Sequence, residues 1–159
     1  MTIFTQAHAY DLAQRYVGTK EMSGSMDNPA IMAMLKLDND WPEEDEVPWC
    51  SAFVNFIAWS CRHPRSKSLR ARSWLRIGKN VPLNEAKGGD IVILQRGKGE
   101  QPGPEVIEAP GHVGFFAGYI PGPVGGELGL IEVLGGNQSD SVKLSRYPVG
   151  RLLGIRRLT

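Results

Sequence analysis

Along the 159-residue chain, the spacing of apolar and polar positions changes near residue 80. Before it, apolar residues recur at helical intervals. In VPWCSAFVNFIAWSC (47–61), Cys50, Phe53, Val54, Ile57, Ala58 and Cys61 fall at i, i+3, i+4, i+7, i+8 and i+11. That is the stripe of a helix packed on one face. Upstream, TQAHAYDLAQRYVG places Thr5 as an N-cap, with Ala9, Leu12, Ala13 and Tyr16 as its apolar positions and Gly18 as a stop. Asn28 followed by Pro29 is a cap-plus-first-turn signature for a second helix. A short helix is expected over 69–77, ended by Gly78.

Beyond residue 80 the runs shorten and glycine and proline separate them. DIVIL (90–94), HVGFFAGYI (112–120), LGLIEVL (128–134), SVKLSRY (141–147) and LLGIRRL (152–158) read as strands. Helices first and strands second predict an α+β fold, with N-terminal helices packed on a twisted antiparallel sheet. With no internal repeat, low-complexity tract or linker, residues 1–159 read as one domain. Two glycine- and proline-rich loops, 96–111 and 121–129, are long enough to suggest function. The first delivers the chain to His112 and is a candidate substrate wall.

Composition narrows the function by exclusion. Eighteen basic and seventeen acidic residues leave a net charge of +1, so no global field argues for nucleic acid or an anionic membrane. No apolar stretch approaches the ~20 residues of a membrane span. MTIFTQAHAYDLAQRY has no basic and then apolar leader, so synthesis in the cytoplasm is expected, with export by another route. Two cysteines cannot form a disulfide framework. On one helix Cys50 and Cys61 would lie about 16 Å apart, whereas a disulfide requires Cα atoms within roughly 7 Å. Neither belongs to a CxxC pair and only three histidines exist, which fits a metal site poorly. Both thiols are expected to be free, and no metal or organic cofactor is implied.

Cys50 opens its helix, where backbone N–H groups and the helix dipole favour a thiolate. It reads as a small core thiol or as a nucleophile. Cys61 ends the stripe and reads as core. Of the histidines, His8 lies in the first helix and His63 ends the cysteine helix, a full helix length from Cys50. That leaves His112, at the start of an apolar strand, as the candidate base or as an exposed strand-end histidine. The segment LIEVLGGNQSD follows: if its strand pairs antiparallel with the His112 strand, Asn137 is brought to the ring, or serves as an ordinary turn asparagine. Arg62, Arg65, Lys67, Arg70 and Arg72 cluster, as a solvated face or as an attraction to an anionic cell wall. Asp90 either marks a strand entry or caps a turn. Trp41 and Trp49 either stack on a sugar or pack in the core, and Asp27 and Asn28 are either cleft rim or helix cap.

PWCSAFVNF, GGDIVIL, GHVGFF and VLGGNQS, in this order, resemble the papain-like peptidoglycan hydrolases of the CHAP and NlpC type, closest to a compact branch common in phages and prophages. YVGTKEMSGSMDNPAI is similar to the N-terminal segment of that branch, so the resemblance covers most of the chain. It implies a papain-like fold, Cys50 as nucleophile, His112 as base and Asn137 as orienter, with Gln138 as the other possibility for that third role. Trp49, Ser51 and Gln138 are implied as substrate-contacting positions. The chain departs from the pattern at Trp49, where NlpC-type enzymes carry aspartate, and at Gly135, where many CHAP enzymes carry glutamate. The implied activity is cleavage of a peptidoglycan amide, as amidase or endopeptidase, by a monomer acting at the bacterial wall. Endolysin, injected effector and virion component are the contexts it suggests. A non-catalytic wall-binding or assembly protein on the same scaffold is the alternative.

Overall fold

The apolar stripe over 50–61 is a helix in the computed structural model of the protein, which describes residues 6–22, 27–39, 48–123 and 128–158. The expected cap at Thr5, the Trp41 position, most of the acidic loop before Pro48 and part of the 121–129 loop lie outside these residues. Among the described residues three helices form, α1 (Gln6–Gln14), α2 (Pro29–Leu35) and α3 (Cys50–Ser60). Asn28 caps α2 through its side-chain oxygen, which accepts the Ala30 N–H at 2.9 Å, and Pro29 occupies the first turn. In α3 the stripe is buried, and so are Ser51, Ala52 and Asn55 between its members. The helix is therefore covered on more than one side. The helix expected over 69–77 is a 3-10 segment, Ala71–Arg76, followed by Gly78 at φ +70°.

The second half folds into the five expected strands, preceded by a short one that was not expected: β1 (Lys79–Asn80), then β2 (Ile91–Gln95), β3 (Gly111–Ile120), β4 (Leu130–Gln138), β5 (Ser141–Pro148) and β6 (Leu152–Arg157). They form one antiparallel sheet in the order β1-β6-β2-β3-β4-β5. The fold is α+β. Strand alternation sorts its side chains between two apolar layers. Ile91, Ile93, Val113, Phe115 and Leu134 join the helices in the larger core, where Phe53 of α3 meets Phe115 edge to face at 6.1 Å. Val92, Leu94, Phe116, Ile131, Val133 and Ile155 form a second layer on the opposite face.

Buried polar groups tie these parts together. Asp90, fully buried, receives Arg157 at both carboxylate oxygens (2.9 and 2.7 Å) and also accepts the Lys87 N–H at 2.8 Å. It is both a turn cap and a clasp between the start of β2 and the end of β6. Arg72, also fully buried, donates to the carbonyls of Pro102, Gly103, Val106 and Pro110. One guanidinium thus holds the glycine- and proline-rich loop against the 3-10 segment. The basic cluster of 62–72 is dispersed: Arg72 is internal, Arg65 pairs with Asp38 at 2.6 Å, and Arg70 turns up beside Cys50. No described helix is long and apolar enough to cross a membrane.

Candidate active site

Cys50 is the first residue of α3 and follows Trp49, which supplies no side-chain cap. The first-turn amides beside the thiol therefore keep their N–H groups from the capping residue, as a nucleophile at a helix start requires. Packing of α3 across β3 and β4 sets the thiol against the start of β3, where it hydrogen-bonds the His112 ring and the Val113 N–H. Burial pushes the Cys50 thiol up. The hydrogen bond and charge of His112, the Val113 amide and the more distant Arg96 outweigh burial and hold it below the ordinary thiol value. At the other end of the stripe, burial alone pushes Cys61 up. The two thiols, one sequence stripe apart, are thus driven in opposite directions.

His112 is 6% exposed, and its Nε2 lies 2.9 Å from Oε1 of Gln138. The direction of that bond follows from the rest of the amide. Gln138 Nε2 donates to the carbonyls of Val133 (3.3 Å) and Lys143, which can only accept. The atom facing the histidine is therefore oxygen, His112 carries its hydrogen on Nε2, and Nδ1 is left with its lone pair for the thiol. Tyr147 adds a second donor to the same oxygen, its hydroxyl 2.9 Å from Oε1 and its ring 5.4 Å from the imidazole. Burial and then the Cys50 charge raise the Tyr147 phenol above its ordinary value, which keeps it a donor. Cys50, His112, Gln138 and Tyr147 form one chain of oriented hydrogen bonds.

The ring's partner is Gln138 and not Asn137, and a β-bulge explains the exchange. In regular alternation Ile131, Val133, Gly135 and Asn137 would share the face that His112 occupies. Between the pairs Gly135↔Lys143 and Gln138↔Ser141, however, β4 advances three positions while β5 advances two. The extra residue shifts the alternation by one, and Asn137 absorbs it at φ +54°. Gln138 then takes the place beside the ring. Of the two preceding glycines, Gly136 is required by contact, since a Cβ there would lie 2.6 Å from the Trp49 ring; one on Gly135 would press on the Gln138 amide at 3.1 Å.

Trp49 and Ser51, expected at the substrate, are fully buried. Trp49 packs beneath Gly136 and donates its indole N–H to Glu21 at 2.8 Å. Ser51 donates to the Ser68 carbonyl at 2.6 Å and accepts the Trp74 indole N–H at 3.0 Å. Both hold α3 in place and neither lines the cleft. Asn55, unremarked in the sequence, extends this network to Ser66, Lys67 and Ser68. His63 sits at the far end of α3, where burial holds its imidazole below the ordinary value; the side chain of His8 lies outside the described residues.

Above Cys50 is a cavity of about 290 Å³, walled by Leu69 and Ala71 on one side and by Ala109, Pro110 and Gly111 of the long loop on the other. Arg70, Arg96 and Glu108 line it as well. None of these charged residues stands out from a helical or alternating pattern, because each lies just outside a regular element. Tyr147 escapes sequence reading for another reason: its role exists only through the bulge that turns Gln138. Among the described residues, no three histidine, cysteine or carboxylate side chains converge to hold a metal. The arrangement can supply a thiolate, an oriented base and helix-start amides that the N-cap side chain does not cap. No protein-family model matches the chain, and no curated protein matches it.

Proposed function

We propose that the protein is a cysteine-dependent hydrolase of papain-like architecture that cleaves an amide bond in the peptide part of bacterial peptidoglycan. The observation that carries the chemistry is the oriented relay Cys50–His112–Gln138, whose Cys50 lines a cavity. The ordered motifs from PWCSAFVNF to VLGGNQS support the choice of substrate. In this reaction the Cys50 thiolate attacks the amide carbonyl, forming a C–S bond while the Cys50 N–H meets the developing oxyanion. His112 gives its proton to the departing amine as the C–N bond breaks. It then takes a proton from water, whose oxygen displaces the thiolate from the thioester and releases a carboxylic acid. Gln138 keeps Nε2 protonated throughout and so keeps Nδ1 aimed at sulfur.

Digestion of purified sacculi by wild type and by Cys50→Ala, with products read by mass spectrometry, tests this reading. Fragments released by the wild type alone support it, and their masses separate amidase from endopeptidase cleavage. Intact sacculi of several wall chemistries after treatment with wild type would overturn the substrate assignment.

A further inference from the structure

The cavity over Cys50 holds charges of both signs that the fold does not use. Arg72, Arg151 and Arg157 each bind carbonyls or a carboxylate. Arg70, Arg96 and Glu108 are exposed and, among the described residues, make neither an ion pair nor a side-chain hydrogen bond. They come from three separate segments. Arg96 directly follows β2, whose Leu94 pairs with His112, so the guanidinium projects from the end of the sheet that bears the base. Arg70 precedes the 3-10 segment, where its N–H is held by Ser68 Oγ at 3.1 Å and its carbonyl by Ser73 Oγ at 2.6 Å. Glu108 rides on the loop that Arg72 anchors. Unpaired surface charges are ordinary; three sharing one cavity with a nucleophile are not, and the charge of Arg96 already reaches the Cys50 sulfur.

We propose that this cavity is a charge-selective subsite for a zwitterionic peptide, in which Arg70 and Arg96 receive a free carboxylate close to the scissile amide and Glu108 receives an ammonium along the loop wall. The proposal rests on the hydrolase reading and adds the substrate's chemistry. A guanidinium offers a carboxylate paired, charge-assisted hydrogen bonds that a neutral amide of the same shape cannot match. Because two of the three charges are positive, an anionic group is preferred overall.

Two isosteric alkylating agents read this charge directly. Full-length protein is treated with iodoacetate or iodoacetamide, and the rate ratio of the two is measured at Cys50, with Cys61 as internal reference. Each of Arg70→Gln and Arg96→Gln lowers the Cys50 ratio about threefold or more, the size expected for one unit charge acting across a wet cleft. Arg96→Lys retains the ratio, Glu108→Gln raises it, and an unchanged Cys61 rate shows that each variant is folded. Ratios unmoved by both arginine substitutions overturn the subsite. A second arm compares native sacculi with sacculi whose free peptide carboxylates have been converted to amides. Loss of about tenfold or more in wild-type release rate from the amidated wall supports the proposal. Equal release from both overturns the subsite and leaves the hydrolase standing. No release from either, with the iodoacetate ratio still dependent on arginine, overturns the wall substrate and upholds the subsite.

Discussion

The imidazole of His112 is held by an amide that has no freedom to turn, since each polar atom of Gln138 is engaged. Replacing Gln138 with alanine removes the acceptor that fixes the ring. It should lower the rate of Cys50-dependent amide hydrolysis by about 10–100-fold, within the range a positioned base supplies. Asn137→Ala leaves the ring's partner in place and should cost less than about threefold, since only a left-handed turn residue is lost. Steady-state rates of the two variants decide between them. Tyr147→Phe removes one hydrogen bond and falls between the two. The thiols give a prediction for pH. Because the fold lowers the Cys50 value and raises that of Cys61, Cys50 keeps a thiolate as the pH falls below the ordinary thiol range of ~8.5. Alkylation at Cys50 should therefore reach half its limiting rate at a lower pH than at Cys61. Coincident profiles, read by peptide mass spectrometry, would remove the activated thiol from the mechanism.

Between elements, the decisive contact is α3 against the bulged end of β4. Gly136 lets the backbone of β4 lie on the Trp49 ring, and any added methyl meets that ring and the Phe53 side chain within 3 Å. Gly136→Ala should destabilise the fold by about 1–3 kcal/mol, the usual cost of overpacking a tight core, and should displace α3 from β4. Urea unfolding measures the first effect and slower Cys50 alkylation the second. A variant with wild-type stability and reactivity would show that this contact does not set the distance from thiol to imidazole. The same junction shows what periodicity conveys. The α3 stripe, the α2 cap and the five longer strands were legible, because neighbouring side chains declare which face they share. The bulge was not, since its extra residue is defined only against the opposing strand. A reading by alternation therefore delivers Asn137 to His112, where the folded chain delivers Gln138.

At the scale of the whole molecule, the last strand returns to lie between β1 and β2 and is locked there by the buried Asp90–Arg157 pair. Asp90→Asn keeps the shape of the side chain but leaves Arg157 without its charged partner. It should lower unfolding stability by about 1–3 kcal/mol, as for a charged hydrogen bond lost from a partly covered site. The denaturant slope should stay unchanged, because the surface exposed on unfolding is the same. A stability equal to wild type would show that strand pairing alone holds β6. The site depends on this closure, since its groups come from α3, β3, β4, β5 and three connecting segments. The sequence by itself determined the helical half, the strand half and the free thiols, and its motifs singled out Cys50 and His112 as candidates for one site. The halves follow from local spacing, and the candidates from the few residue types able to do such chemistry and from the resemblance carried by the ordered motifs. Only the tertiary structure decided that Gln138 and Tyr147 orient the ring, that Trp49 and Ser51 support α3 from within, and that Arg70, Arg96 and Glu108 meet over the thiol. Those placements depend on strand register, a bulge and loop anchoring, which join residues far apart in the chain and leave no periodic trace along it.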